Sequence, residues 1–145
     1  MAATSLKDSV SYMLAQVCKL HRQRADNYLN EIGLHVGQEM FLTELWEKEG
    51  ITQSELAEQL LLQPATVTNT LRRLERDGLV DRRVDSDDQR VSRVYVTEKG
   101  HALEAPVSEK WSQLDSESFA GLSAEERMLL RRLLLQVYRN LAPSP

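Results

Sequence analysis

Hydrophobic residues recur along most of this chain at intervals of three and four, the spacing that places side chains on one face of a helix. This spacing predicts six helices, over about residues 5–31, 35–48, 52–60, 64–78, 98–117 and 123–141. Gly33 and Gly50 stand where the first two helices should end. The apolar side of the second helix is predicted to contain Met40, Phe41, Leu45 and Trp46.

Polar residues and prolines mark where several helices should begin. Thr52 and Ser123 are each followed three residues later by a glutamate, which is the arrangement of a capping box. Pro64 suits the first turn of a helix, where a backbone N–H is not needed. Pro106 falls inside the fifth predicted helix and should kink or interrupt it.

One part of the chain has the pattern of paired strands instead. Residues 79–84 and 91–97 contain short apolar or alternating runs, and the polar residues 85–90 between them are typical of a hairpin turn. The predicted fold class is therefore mainly α (α+β). A short helix, a three-residue turn, a second helix and a hairpin follow one another in the order of a winged helix-turn-helix DNA-binding domain.

The helix that begins at Pro64 is the candidate for reading DNA. Because an α-helix turns by about 100° per residue, Val67, Leu71 and Leu74 share one face and should be buried. The rest of its surface carries small, polar and basic side chains. Such a surface fits a major groove, and it would equally fit a solvated helix with no partner.

We divide the candidate DNA contacts of this helix by position. The first turn of a recognition helix usually approaches base edges, while later basic residues meet the backbone. The candidates for reading bases are Ala65, Thr66, Asn69 and Arg72. The candidates for phosphate contacts are Thr68, Arg73 and Arg76. Arg73 has an alternative role, in which it pairs with an aspartate of the hairpin.

The hairpin turn combines three aspartates with an arginine. Since phosphate repels aspartate, Asp85 and Asp88 are predicted to brace the hairpin by pairing with arginines. An arginine held at the tip of a ribbon can enter a narrow minor groove, where the negative potential is strongest. Arg90 is the candidate for this contact, and Arg93 is a further DNA-contact candidate. The alternative for Arg90 is an internal salt bridge to Asp88.

Charge limits the possible partners without choosing among them. The 145 residues carry a net charge of −4, whereas nucleic-acid-binding domains are usually basic. Residues 61–97 contain seven arginines and six acids, a net charge of +1, and the remainder carries −5. The negative charge therefore lies outside the candidate reading region.

Other kinds of function find little support. No phosphate-cradling loop, nucleophile motif or Cys/His ligand spacing occurs, so we expect neither an enzyme nor a metal or other cofactor. No apolar run approaches the ~20 residues of a membrane span, so we expect a cytoplasmic protein with no membrane partner. Cys18 is the single cysteine, and we interpret it as a small packing residue, with redox sensing as the alternative.

Several stretches resemble the MarR family of winged-helix regulators. They are residues 52–57, residues 67–80, and residues 85–90, which fit the Asp-x-x-Asp-x-Arg wing of that family. Residues 96–100 match the usual exit from the wing, and the order of elements agrees over nearly the whole chain. One departure is Asp87, because many relatives carry a basic residue in the middle of the wing tip.

The resemblance implies one MarR-like domain over residues 1–145, with the winged helix-turn-helix at 35–100 and dimerisation helices at 1–32 and 101–145. It implies a homodimer, and this agrees with a last helix that is apolar on more than one side and needs a second surface to cover it. The residues predicted at the interface are Leu6, Val10, Leu129, Leu133 and Val137.

The resemblance also implies a function. Many members are repressors that bind a pseudo-palindromic double-stranded DNA operator and leave it when a small, often phenolic or anionic, ligand binds. No residue of such a ligand pocket is singled out by the sequence. The alternative is a winged-helix module that binds protein and has lost DNA, which the near-neutral charge of the reading region would favour.

Overall fold

A computed structural model describes residues 5–144 of the chain. Within that range a 3-10 turn, Leu6–Asp8, precedes seven α-helices and three β-strands. The helices are α1 (Val10–Asn30), α2 (Gln38–Glu47), α3 (Gln53–Leu60), α4 (Pro64–Arg76), α5 (Glu98–His101), α6 (Glu104–Ser118) and α7 (Ala124–Leu141). The strands are β1 (Ile51–Thr52), β2 (Val80–Val84) and β3 (Ser92–Val96). This order confirms the mainly helical α+β class, with a winged helix-turn-helix formed by α3, α4 and the β2–β3 hairpin.

The first helix begins later than the sequence predicts. Ser9 has an extended conformation, and its Oγ accepts a hydrogen bond from the backbone N–H of Tyr12 at 3.1 Å. Because this bond satisfies an amide of the first turn, the helix starts at Val10. The predicted start near residue 5 is wrong, since Leu6–Asp8 forms a separate turn that ends at Ser9.

The fifth predicted helix is divided in two. α5 ends at His101 and α6 begins at Glu104, so Pro106 lies in the first turn of α6 instead of at a kink. Proline fits there because first-turn amides have no partner within their helix. Just before this break, a Cβ on Gly100 would lie 2.3 Å from the carbonyl oxygen of Leu79. The absence of a side chain at Gly100 therefore lets α5 pack closely against the chain that enters β2.

The hairpin belongs to a three-stranded antiparallel sheet of order β1-β3-β2. β2 and β3 pair from Val80 opposite Val96 to Val84 opposite Ser92. β1 pairs with β3 through two residues, which are too few to show an alternating pattern in the sequence. The sheet thus attaches the hairpin, which we call the wing, to the turn that follows α2.

The hydrophobic core lies between α2, α3, α4 and the sheet. Leu45, Leu56 and Leu71 are completely buried there, and each such side chain contributes about 1.5–3 kcal/mol relative to exposure. Met40 does not join them. It is 48% exposed and lines an open cavity beside α4, so its predicted place on the apolar side of α2 is wrong.

The two halves of α1 differ in burial. Ala25 and Leu29 are buried in the core, whereas Val10, Met13 and other apolar residues of the first half are exposed. Cys18 lies in the exposed part. Within the single chain Cys18 does not pack in the core, because α1 enters the core only through its C-terminal half.

The chain divides into two compact units between Leu114 and Asp115, within α6. In the second unit, Ser123 Oγ accepts a hydrogen bond from the N–H of Glu126, whose side chain accepts one from the N–H of Ser123. The capping box predicted at the start of α7 is thereby confirmed.

α7 keeps its apolar side chains at the surface. No residue of Ala124–Leu141 is buried in the single chain, and Leu129, Leu133 and Val137 are 50%, 46% and 38% exposed. Arginines interrupt these apolar positions along the helix. Within residues 5–144 no helix has the length and apolar character needed to cross a membrane.

We predict that Leu71→Ala lowers the free energy of unfolding by about 2–5 kcal/mol, because it leaves a cavity in the core. Urea unfolding at a fixed protein concentration measures the change. Val84→Ala is the matched control: Val84 is 64% exposed on the wing, so the change should stay within about 0.5 kcal/mol. Equal effects of the two substitutions would contradict the placement of Leu71.

Candidate nucleic-acid interface

A tight connection positions the start of α4. Thr52 caps α3, with its Oγ1 accepting a hydrogen bond from the N–H of Glu55 at 3.1 Å. Leu61 ends α3 in the left-handed conformation, at a φ of 55°, which is uncommon for a leucine. The chain therefore turns sharply, and Pro64 begins α4 three residues later.

α4 divides into a buried and an exposed face as its periodicity predicts. Val67, Leu71 and Leu74 are at most 1% exposed, which confirms their predicted burial. Six of the candidate contact residues lie exposed on the other side of the helix: Ala65, Thr66, Asn69, Arg72, Arg73 and Arg76. Small, amide and basic groups are thus brought together on one helix surface.

Thr68 is the exception among the candidates on α4. It is partly buried, and its Oγ1 donates a hydrogen bond to the carbonyl oxygen of Pro64 at 3.0 Å. The same oxygen accepts a hydrogen bond from Nε2 of Gln53 at 3.3 Å. The structure therefore turns Thr68 towards α3 and away from the exposed face.

The three arginines of α4 differ in their contacts. Arg72 and Arg73 form no hydrogen bond or ion pair within residues 5–144. Arg76 lies 3.6 Å from its neighbour Asp77, measured from Nε to Oδ1, and its side chain is 73% exposed. The alternative in which Arg73 pairs with a wing aspartate is wrong, because its guanidinium meets no acid of the described chain.

Asp85 is the centre of the wing tip. Its Oδ1 accepts a hydrogen bond from Nε of Arg93 at 2.7 Å, and its Oδ2 accepts from the backbone N–H groups of Asp87 and Asp88 at 3.1 and 3.0 Å. The Arg93 hydrogen bond is the main cause that holds the pKa of Asp85 below its ordinary value. Arg93 Nη1 also donates to the carbonyl oxygen of Gly50 at 2.9 Å. Arg93 thus connects the wing tip to the turn after α2.

Arg90 is both paired and exposed. Its Nε and Nη2 donate to the two carboxylate oxygens of Asp88 at 3.1 and 3.3 Å, and its guanidinium side chain remains 91% exposed. This contact is the main cause of a lowered pKa for Asp88. The salt bridge considered from the sequence is therefore present, and it still presents Arg90 to solvent at the tip.

Two further arginines are held on the β2 strand of the wing. Arg82 Nη2 donates to Oε1 of Glu75 at 3.2 Å, and this contact lowers the pKa of Glu75. The Arg83 guanidinium lies 4.3 Å from the centroid of the Tyr95 ring, a cation–π contact. With Arg93, three of the seven arginines in residues 61–97 are therefore directed at the protein itself.

An open groove of about 610 Å³ separates the wing from the helix-turn-helix. Gln53 and Ser54 line it at the start of α3, Pro64 and Thr68 line it on α4, and Arg90 lines it on the wing. A helix and a ribbon tip that presents an exposed arginine, on either side of a groove, match the alternating grooves and backbone of duplex DNA.

A second cavity, of about 320 Å³, borders the opposite flank of α4. Its lining includes Arg22 on α1, His35 before α2, and Thr70 and Arg73 on α4. No acid lines it within residues 5–144, although Oδ1 of Asp26 lies 3.9 Å from Nδ1 of His35. Sequence reasoning missed this site because its residues come from separate elements and share no local pattern. The cavity is a basic recess that touches the candidate reading helix.

A buried carboxylate shapes the loop beside this cavity. Glu39 is 1% exposed, and both of its carboxylate oxygens accept a hydrogen bond from the N–H of Gly37, at 2.8 and 3.2 Å. Burial raises the pKa of Glu39 above its ordinary value. Gly37, which lines the cavity, has a φ of 100° that favours glycine. The loop at the start of α2 is thereby fixed.

Comparisons with known proteins agree with this geometry. A family model described as the MarR family matches residues 35–92. The HTH-type transcriptional repressor IacR of Pseudomonas putida is 31% identical over 135 residues, which span 93% of this chain and 81% of IacR. The transcriptional regulator HosA of Escherichia coli O127:H6 is 30% identical over 130 residues, which span 90% of this chain and 95% of HosA.

A solved structure extends the likeness to the fold. The crystal structure of the S. aureus MepR–DNA complex superposes with a TM-score of 0.84 at 27% identity, covering 92% of this chain and 98% of the MepR chain. By their names, IacR is a transcriptional repressor and HosA a transcriptional regulator. The exposed α4, the wing and these relatives together place the chain in the MarR family, as a DNA-binding transcriptional regulator with a winged helix-turn-helix.

Proposed function

We propose that this protein is a homodimeric repressor that binds a pseudo-palindromic operator and is released by a small anionic ligand. The observation that carries the proposal is the exposed surface of α4, with Arg90 exposed on the neighbouring wing. α4 would enter the major groove with Ala65, Thr66 and Asn69 near base edges, since an asparagine can bond adenine with both of its polar atoms.

The proposed phosphate contacts are the arginines whose guanidinium groups remain accessible to DNA. Arg72 and Arg73 have no partner within residues 5–144. Arg76 and Arg90 pair with neighbouring aspartates but remain 73% and 91% exposed. Exposed pairs of this kind are screened by solvent and contribute little to stability, so a phosphate can replace the aspartate as their partner.

Two residues predicted as DNA contacts are better explained as supports. Arg93 is held between Asp85 and the carbonyl oxygen of Gly50. Thr68 uses its hydroxyl for bonds within the protein. We therefore leave Arg93 and Thr68 out of the proposed contact set, in which Arg90 is the wing residue for the minor groove.

We predict that affinity for a bound duplex falls steeply with salt, with a log–log slope of about −0.9 per phosphate contact. Operator fragments are first selected from genomic DNA, and affinity is then measured by fluorescence anisotropy. Arg73→Gln should reduce the magnitude of the slope by about 1. Arg132→Gln, which removes an exposed arginine of α7, is the matched control and should leave the slope unchanged.

A flat salt series would contradict the phosphate contacts and would favour the alternative, a winged-helix module that binds protein. Repression has separate support, because IacR is named a repressor. Adding the protein to in-vitro transcription from a promoter that contains the selected fragment should reduce transcript. An increase in transcript would identify an activator instead.

The exposed apolar residues of α7 support the homodimer. Leu129, Leu133 and Val137 lie on the same side of the helix at intervals of four and keep 38–50% of their surfaces exposed in the single chain. On the first unit, Leu6 and Val10 are 73% and 85% exposed. Covering such surface stabilises an association by about 25 cal/mol per Å², so a second copy is the proposed cover.

We predict that Leu133→Glu converts the dimer into monomers, because it places a charge in an apolar interface. Sedimentation velocity measures the assembly, and circular dichroism shows whether the helices remain. Arg132→Glu is the matched control: it introduces a glutamate at the position next to Leu133, and this variant should remain a dimer. Val10→Glu tests the interface again at a residue too exposed to support the core. Intact dimers of both Leu133→Glu and Val10→Glu would refute this interface.

The basic cavity beside α4 is the proposed effector site. Arg22, His35 and Arg73 offer positive or hydrogen-bonding groups, and Phe41 and Leu62 offer apolar walls. A small aromatic carboxylate combines the two features that such a lining accepts. Because Thr70 and Arg73 belong to α4, a ligand bound there would contact the same helix that reads DNA.

We predict that benzoate, used as the probe, weakens operator binding at millimolar concentrations, whereas the neutral benzamide does not. Fluorescence anisotropy with the selected operator measures the release. Arg22→Ala should keep its operator affinity and lose most of the response to benzoate, since Arg22 belongs to α1 and is not among the proposed DNA contacts. An equal response to benzamide, or an unchanged response of Arg22→Ala, would rule out this anion site.

A further inference from the structure

Gln53, the first residue of α3, stands between the recognition helix α4 and the wing. Its Nε2 donates a hydrogen bond to Oγ1 of Thr68 on α4 at 3.3 Å. Its Oε1 accepts a hydrogen bond from Nη1 of Arg82 on β2 at 3.4 Å. One amide side chain thus uses its donor on the helix and its acceptor on the wing.

The contacts of Arg82 close this arrangement into a ring. Arg82 Nη2 and Nε also donate to the carboxylate of Glu75 on α4, at 3.2 and 3.4 Å. The ring therefore runs from Thr68 to Gln53, to Arg82, to Glu75 and back along α4. Arg82 is only 24% exposed, so its guanidinium is held among these partners and is not directed at solvent.

The ring of hydrogen bonds matters more for the orientation of the wing than for the stability of the fold. The Gln53–Thr68 bond is neutral, whereas the bonds that Arg82 donates to Gln53 and Glu75 are charge-assisted. Together these bonds connect β2 to two turns of α4, one at Thr68 and one at Glu75. One register step nearer the tip, on β3, the wing is also held by the Asp85–Arg93–Gly50 contacts. The hydrogen bonds of Gln53 and Arg82, at the middle of β2, therefore connect the wing directly to α4.

We propose that Gln53 is a positioning residue for DNA binding. It fixes the orientation of the wing relative to α4, so that Arg90 meets one groove while α4 occupies the next. Prior orientation reduces the ordering that binding would otherwise require. The inference rests on the proposed DNA-binding function, but the orientation itself is a property of the free protein.

The first test measures orientation without DNA. Gln53→Met keeps the length of the side chain and removes both hydrogen bonds. Residual dipolar couplings of the amides in α4 and in β2–β3 report the angle between them. We expect the couplings of the wing to change relative to those of α4 in Gln53→Met, and to remain unchanged in Gln59→Met, an exposed position of α3. Unchanged couplings in Gln53→Met overturn the proposal, whatever the protein does with DNA.

The second test is a double-mutant cycle on the selected operator. Gln53→Met and Arg90→Ala should each weaken binding. The double variant should bind only slightly more weakly than the single variant with the lower affinity, because Arg90 is already misplaced when Gln53 is replaced. Residues that act independently would instead show additive losses. Additivity would mean that Gln53 contacts DNA itself, and full affinity of Gln53→Met would mean that the ring has no role in binding. Either result overturns the proposal.

Failure of the function gives a different pattern. If the wild-type protein binds no duplex but the couplings shift in Gln53→Met, the ring orients the wing and the DNA proposal fails alone. Thermal unfolding of every variant checks the remaining explanation. A fall in the unfolding midpoint of Gln53→Met as large as that of Leu71→Ala, with unchanged couplings below the transition, would assign Gln53 a purely structural role.

Discussion

The burial of one face of α4 is the constraint on which the DNA-binding surface depends. Val67, Leu71 and Leu74 are at most 1% exposed. Rotating α4 so that they faced the solvent would cost about 1.5–3 kcal/mol for each side chain. This penalty fixes the rotation of α4 about its own axis. Because the helix links all of its residues to that rotation, Asn69 and Arg72 must face outward. Apolar packing thus decides which polar groups of α4 are available to DNA.

The wing depends on hydrogen bonds between charged groups instead. Asp85 holds Arg93 and two backbone amides of the tip, so its negative charge is compensated within the protein. The acidic side chains of residues 61–97 therefore pair with some arginines of this region and leave others unpaired. They hold Arg93 and Arg82 inward, while Arg72 keeps its guanidinium without a partner in the described chain. A region with a net charge of only +1 can present strong positive groups at the places where DNA would lie.

Modest charge also explains why the proposed dimer matters. A single recognition helix with few phosphate contacts binds weakly, and its affinity decreases quickly with salt. Two copies joined through α7 would place a second recognition helix near the other half of an operator, which raises its effective concentration there. The proposed effector site is connected to DNA binding through α4. A ligand that contacts Arg73 acts on a residue that the proposed complex needs for phosphate binding.

The sequence by itself determined most of the helices, the hairpin and the two faces of α4, but not the start of α1 or the break between α5 and α6. These follow from local periodicity, as the positions of Val67, Leu71 and Leu74 show, and the wing motif at residues 85–90 indicated the family. Only the tertiary structure decided which polar groups remain available. Arg82 meets Gln53 at a separation of 29 residues, and Arg93 meets Gly50 at a separation of 43. A sequence shows the donors and the acceptors, but folding alone brings particular pairs within hydrogen-bond distance.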